Sequence, residues 1–213
     1  MKKTILILMT IMSTICSFGQ TTQEVIIPNF NDKYSDYVKK LEAGQTNIDY
    51  QDFRFSYIES EQFKIKNRSN LYDSLKKVVY KEMDNNNYEK IIKATKEMLN
   101  IDYTSMFAHK ILQQTYKIIG DTINKNKYHD IEFGLLKSIL NSGDAKSCQT
   151  ARVVIQIEEE YFILEMIGAK FQKQSIDNDG GLCDKMEIKV DGKKRTYYFE
   201  TTKVFQGYKK LGL

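Results

Sequence analysis

The spacing of apolar residues changes once along this chain, close to residue 144, and that change limits the folds open to it. Upstream, apolar side chains recur every three or four residues; downstream, β-branched residues run together and then alternate around an Asp-Gly pair. A 3.6-residue period cannot present one apolar face as a strand, and a period of two cannot do so as a helix. The expected fold class is therefore α+β: N-terminal α-helical hairpins over residues 30–143, followed by a small antiparallel β-sheet with one helix over residues 144–205, packed as one compact unit. Residues 20–29 are expected to be a tether or short edge strand around Val25-Ile26-Ile27, and residues 206–213 a tail.

The helical stripes are short and close together. Phe30, Tyr34, Tyr37, Val38 and Leu41 share one face, and Gly44 ends it. Tyr50, Phe53 and Tyr57 make a second stripe, and Leu71, Leu75, Val78, Val79 and Met83 a third, stopped by Asp84-Asn85-Asn86-Asn87. Asn86 and Glu89 stand in a capping-box relation for a helix carrying Ile91, Thr95, Met98 and Leu99. Asp102 or Thr104 is expected to cap the next, which runs to Gly120, and Ile131, Leu135 and Ile139 mark a last one, Tyr128 to Leu140. Beyond residue 144, Ala151 to Ile157 is expected to be a buried strand, and Glu158-Glu159-Glu160 to open a helix, where acidic side chains complement the N-terminal dipole. Asp184 to Val190 and Lys193 to Glu200 flank Asp191-Gly192, a type I′ hairpin signal.

Residues 1–19 are expected to be a secretory signal peptide. Lys2 and Lys3 precede an apolar run from Thr4 to Ile15, and Ser17-Phe18-Gly19 supplies small residues for cleavage after Gly19. The run is shorter than the roughly 20 residues a spanning helix needs, so no transmembrane segment is expected. Ile15 before Cys16 argues against lipidation. The product is expected to be exported, soluble, and periplasmic or extracellular.

Charge and cysteine usage agree with that placement. The 32 Lys and Arg against 28 Asp and Glu give a formal charge of +4, which falls to +2 once Lys2 and Lys3 leave with the leader. Such a balance does not suit a nucleic-acid binder. Cys148 and Cys183 remain, 35 residues apart. Either they pair, which would stabilise the C-terminal part by roughly 3 to 4 kcal/mol on a chain-entropy estimate, or they are partly buried free thiols. With His109 and His129 far apart, no metal site is expected, and no cofactor is called for.

Two resemblances add to this reading. Residues 87–121 resemble a tetratricopeptide unit read out of phase, with Leu112 and Tyr116 at that family's leucine and tyrosine positions; Tyr103 stands in place of its turn proline and Gln113 in place of its glycine. The whole chain resembles the secreted bacterial family known as domain of unknown function 4919. Asp49-Tyr50 through Phe53, Arg54, Phe55 and Tyr57 carry that resemblance, with Ser142-Gly143-Asp144, Val153 to Tyr161 with Leu164, and Gln174-Ser175. It implies secretion and an α-then-β layout, and it brings no activity.

No residue is singled out as catalytic. His129-Asp130 are adjacent and diverge on a helix, and three consecutive glutamates also diverge. Tyr50, Phe53, Arg54 and Tyr57 are the candidate binding residues, because such rings offer flat apolar faces with polar tips; core packing is the rival reading. Asp177, Asp179 and Gly180 faintly resemble a calcium loop whose ends fail, and a plain polar turn accounts for them. From Lys185 onward the chain is mildly basic, which suits either an anionic envelope surface or the protection of a sheet edge. The expected function is a non-catalytic binding or protein-interaction module of the cell envelope, with an envelope protein or peptide as partner. The alternatives are an envelope hydrolase or transferase with an aromatic-lined pocket, and a structural glycan-associated protein.

Overall fold

The computed structural model describes residues 24–64, 68–179 and 181–212. The expected signal peptide, its cleavage point at Gly19 and Cys16 lie outside the described residues. The helical part comprises α1 (Lys33–Glu42), α2 (Tyr50–Glu59), α3 (Glu61–Lys64), α4 (Arg68–Asp84), α5 (Tyr88–Ile101), α6 (Met106–Ile118) and α7 (Thr122–Leu140). A 3₁₀ turn, Cys148–Thr150, leads to β1 (Arg152–Val153), α8 (Ile157–Met166), β2 (Lys170–Asp177), β3 (Cys183–Val190), β4 (Lys193–Glu200) and α9 (Thr202–Leu211). None of the described helices is long and apolar enough to cross a membrane.

Side-chain caps set most of the helix starts. Asp32, Asp49, Asn87, Ser105 and Asp121 each accept a hydrogen bond from the backbone N–H three residues on, satisfying one of the orphan donors of α1, α2, α5, α6 and α7. The α5 cap is Asn87, one residue beyond the expected Asn86. Asn86 instead takes a left-handed conformation, φ 54°, and closes α4, a role its short polar side chain tolerates. Asp102 and Thr104, the expected caps of α6, also give way to a neighbour, Ser105. Asp102 ends α5 and turns its carboxylate on Thr104, accepting from both its N–H and its hydroxyl.

Successive helices pack as neighbours, α4 on α5, α5 on α6 and α6 on α7, with α2 lying against α1 and α7. Their shared core is a train of rings. Tyr34 stacks on Phe53 with centroids 5.7 Å apart, and Phe53 meets Tyr103 edge-on at 6.4 Å. Tyr103 meets His109 at 5.0 Å, and Tyr128, beside His109, stacks on Tyr116 at 5.8 Å. Residues 24–29 form no strand, yet Val25 is buried and the Ile26 N–H donates to Asn100 Oδ1 at 2.7 Å, so the expected tether is docked on the end of α5.

The sheet has the order β1-β4-β3-β2 and is mixed, not wholly antiparallel. β2, β3 and β4 run antiparallel, while β1 joins β4 in parallel. The expected strand over residues 151–157 is reduced to two residues because Glu159 Oε2 accepts the Ile155 N–H at 2.8 Å, turning the chain into α8 instead of along the sheet. The hairpin falls where Asp191-Gly192 placed it, with φ of 48° and 78° at the two turn residues. Cys148 and Cys183 form a disulfide, Cα atoms 5.7 Å apart, which fastens the 3₁₀ turn to the start of β3. A second helix, α9, joins the single one expected here. It takes in residues 206–211 of the expected tail, with Val204 buried and Gly207 against Phe63 and Ile58.

Tyr50 lies over Gly134 of α7, where a Cβ would stand 2.2 Å from the Tyr50 ring. Gly134→Ala is therefore expected to destabilise the fold by about 1–3 kcal/mol, despite a helix propensity roughly 1 kcal/mol better, because the ring must move. Urea unfolding followed by circular dichroism measures this; a gain in stability would show that Tyr50 is not wedged between α2 and α7.

Candidate functional site

The four residues expected to line a binding groove face the core instead. Phe53 and Arg54 are fully buried, Tyr57 is 2% exposed, and Tyr50 is half-buried with its hydroxyl donating to the Thr46 carbonyl at 2.8 Å. Phe53, Arg54 and Tyr57 therefore do not form an exposed aromatic platform: residues at helical spacing are buried between α2 and its neighbours, and Tyr50 keeps part of its ring exposed beside α7. Arg54 has a different task. Its Nε and Nη2 donate to Glu159 Oε1 and Oε2 at 2.9 and 2.6 Å, Nη2 also donates to the Val153 carbonyl at 3.0 Å, and Nη1 to Ser138 Oγ at 3.3 Å. This forked contact joins α2, α7, β1 and α8.

Other titratable groups are also turned inward. His109 is fully buried, with Nε2 donating to the Tyr103 carbonyl at 2.7 Å, and burial pushes its pKa down to about 3, so it is neutral. Tyr103 donates to Glu42 Oε1 at 2.5 Å, and Lys127 reaches Glu42 Oε2 at 2.7 Å from the rim. His129 and Asp130 are both half exposed on α7 and lie 3.2 Å apart, with the His129 ring stacked on Phe133.

A carboxyl pair lies under the sheet. Glu160 of α8 is fully buried and Asp184 of β3 is 6% exposed. Neither Glu160 oxygen has a hydrogen-bond partner in bonding geometry. Burial first, then the charge of Asp184, push the Glu160 carboxyl up to about 9, so it is protonated at neutral pH; burial also raises Asp184. Gln174 Nε2 donates to Asp184 Oδ2 at 2.7 Å and Tyr161 donates to Gln174 Oε1 at 3.0 Å, a hydrogen-bonded path from the surface to the pair. The triple glutamate thus divides by helix geometry. Glu159 holds Arg54, Glu160 meets Asp184, and Glu158 faces solvent; only the last matches a plain dipole role.

The surface feature that survives is the outer face of the sheet. Strand register sets Lys170, Lys189 and Lys194 side by side in one row across β2, β3 and β4. The next row holds Lys173, Glu187 and Thr196, and the one after it Ser175, Lys185 and Tyr198. Lys185 lies over the Tyr198 ring at 5.9 Å. A shallow cleft of about 390 Å³ opens at one end, lined by Gly168, Lys170, Lys189, Asp191 and Gly192. A second, of about 220 Å³, lies between α1 and α2 beside Asp32, Asp52 and Glu59. The basic C-terminal stretch is not one surface: Lys203 covers the Phe55 ring at 5.1 Å, and Lys210 pairs with Glu59 at 2.5 Å. Lys170 and Lys173, which the sequence reading left out, complete the lysine face, and only strand pairing brings them there. Among the described residues, no group of three or more His, Cys, Asp or Glu is arranged to hold a metal ion.

Two substitutions test the buried charges. Arg54→Met should cost about 3–5 kcal/mol in urea unfolding, since it leaves Glu159 buried and unpaired; a loss below 1 kcal/mol would contradict the arrangement. For Glu160 the folded carboxyl sits at about 9 against an ordinary 4.5. The folded state keeps a proton that the unfolded state gives up, so the contribution of this group is full below pH 4.5 and is lost as pH rises towards 9. Glu160→Gln, which stays neutral, should flatten that fall and be more stable than the parent near pH 9 by roughly 1–3 kcal/mol. Parallel pH–stability curves for the two proteins would refute it.

No curated protein and no solved structure matches the chain, and the tetratricopeptide likeness of residues 87–121 gains no support from these comparisons. A family model does match, over residues 23–210, which takes in the helical part, the sheet, the lysine face and nearly all of α9. The chain belongs to that family, DUF4919, a domain of unknown function.

Proposed function

We propose that this chain is an exported, non-catalytic binding module of the cell envelope, working through its C-terminal sheet and not through the helices. The observation that carries the reading is the outer sheet face. It is solvated over its first two rows, its first three rows bear five lysines and one glutamate, and the 3₁₀ turn Cys148–Thr150 packs only on its far end, at Tyr198 and Cys183, where Asp177 and Glu200 make a fourth row. Export is supported by the leader-like residues 1–19 and by a disulfide, a bond that persists in oxidising compartments. The hydrolase reading called for an aromatic-lined pocket, and of the rings assigned to it Phe53 and Tyr57 are core and Tyr50 packs half-buried against Gly134. The glycan-associated reading shares the lysine face and merges with the binding reading.

Two measurements test this. Protein recovered after expression and export of the full chain should begin at Gln20 by N-terminal sequencing; a protein retaining Met1 inside the cell would overturn export. That exported protein, immobilised beside a bait of equal net charge, should retain envelope material that is released by rising salt. Equal retention by the two baits would overturn the binding reading.

A further inference from the structure

We infer that the outer sheet face is a site for a linear anionic polysaccharide, held by the transverse row Lys170, Lys189 and Lys194 with Lys173 and Lys185 beside it. The inference rests on the binding reading above and names its ligand class.

Folding alone does not account for this row. Like charges directly opposite one another on neighbouring strands destabilise a sheet, and here two such pairs share a lysine, Lys170 with Lys189 and Lys189 with Lys194. Adjacent strands are about 5 Å apart, so three ammonium stems leave the sheet within about 10 Å of one another. Among the described residues none of the five lysines is in an ion pair. Protection of an edge explains lysines on β2, and on the part of β4 that β1 does not reach. It does not explain Lys185 and Lys189, because β3 is flanked by β2 and β4 along its length. A merely solvated face would intersperse the two signs, whereas here five lysines share three rows with Glu187 alone, and the other acids of the face, Asp177 and Glu200, fall together in the fourth row beside Cys183. An anion laid across the row removes the repulsion that the fold otherwise sustains.

The chemistry of the face selects among anions. Its rows contain no exposed large apolar residue, and Tyr198 is half-buried beneath Lys185, so nothing projects to anchor in a bilayer or to stack on free bases. All five cations are lysines, compact and hydrated point charges that suit repeated anionic groups without fixed bidentate geometry. Ser175 and Thr196 lie between them and offer hydroxyls to sugar hydroxyls. The cleft beside Lys170 and Lys189 gives the row a recess at one end, with Asp191 as the acid on its rim.

The test uses the exported full chain and labelled polygalacturonate, with neutral dextran and phosphatidylglycerol vesicles as comparison probes. Polygalacturonate should bind, and affinity should fall with salt. The variant Lys170→Gln/Lys189→Gln/Lys194→Gln should lose about tenfold in affinity and show a log-log salt dependence shallower by roughly 2. Its melting temperature should equal or exceed that of the parent, because the cross-strand repulsion is gone. Lys77→Gln/Lys93→Gln/Lys117→Gln, which removes the same charge from exposed positions on α4, α5 and α6, should lose less than about twofold. Equal losses in the two variants, binding to vesicles but not to polygalacturonate, or no binding to polygalacturonate would each overturn the site. Salt-released envelope material retained by the lysine-row variant would refute this ligand assignment and leave the binding reading standing; no retention by the parent would end both.

Discussion

The forked contact between Arg54 and Glu159 holds the two halves of this protein in one arrangement. A guanidinium and a carboxylate removed from water lose several kcal/mol of hydration each, and only near-complete hydrogen bonding makes that tolerable. Here Arg54 donates to both Glu159 oxygens, to the Val153 carbonyl and to Ser138 Oγ, while Glu159 also accepts the Ile155 N–H. One pair thereby fixes where α2 meets α7, where β1 stops and where α8 begins. An apolar substitute of equal volume would fill the space without specifying those angles.

Other buried polar groups follow the same logic with less complete satisfaction. His109 is neutral, with one nitrogen bonded to the Tyr103 carbonyl and the other left without a partner, so its ring serves as a flat member of the aromatic train. Glu160 remains neutral because it is buried and because Asp184 lies beside it, and a protonated acid costs far less to bury than a carboxylate. These groups make the interior sensitive to pH. The surface divides differently: Lys203 and Lys210 of α9 are engaged with α2, while among the described residues the lysines of the sheet are in no ion pair.

Much of the fold was legible in the sequence because it depends on short-range rules. The helix stripes, the change at residue 144 and the Asp191-Gly192 hairpin are periodic or turn-chemical signals carried by a few neighbouring residues. Helix starts were off by one or more positions where several capping residues stood in a row, as in Asn86-Asn87 and Asp102-Tyr103-Thr104-Ser105, since each can cap and only the packed helix decides. α9 has no counterpart in the expected layout, although Val204, Tyr208 and Leu211 lie at helical spacing, a signal present in the sequence.

The site was not legible for a different reason. Composition and order alone determined that this chain has a leader-like start, a helical part, a strand hairpin and two cysteines in its C-terminal third. Whether Tyr50, Phe53, Arg54 and Tyr57 meet solvent or core depended on which faces α1, α5 and α7 bury, and spacing says only that the residues share a side. Lys170 and Lys189 are 19 residues apart in sequence and adjacent in the sheet. Their partnership arises from the register of β2 on β3, which the whole buried face of the sheet selects, because a slip of one residue would turn Met186 and Ile188 out to water.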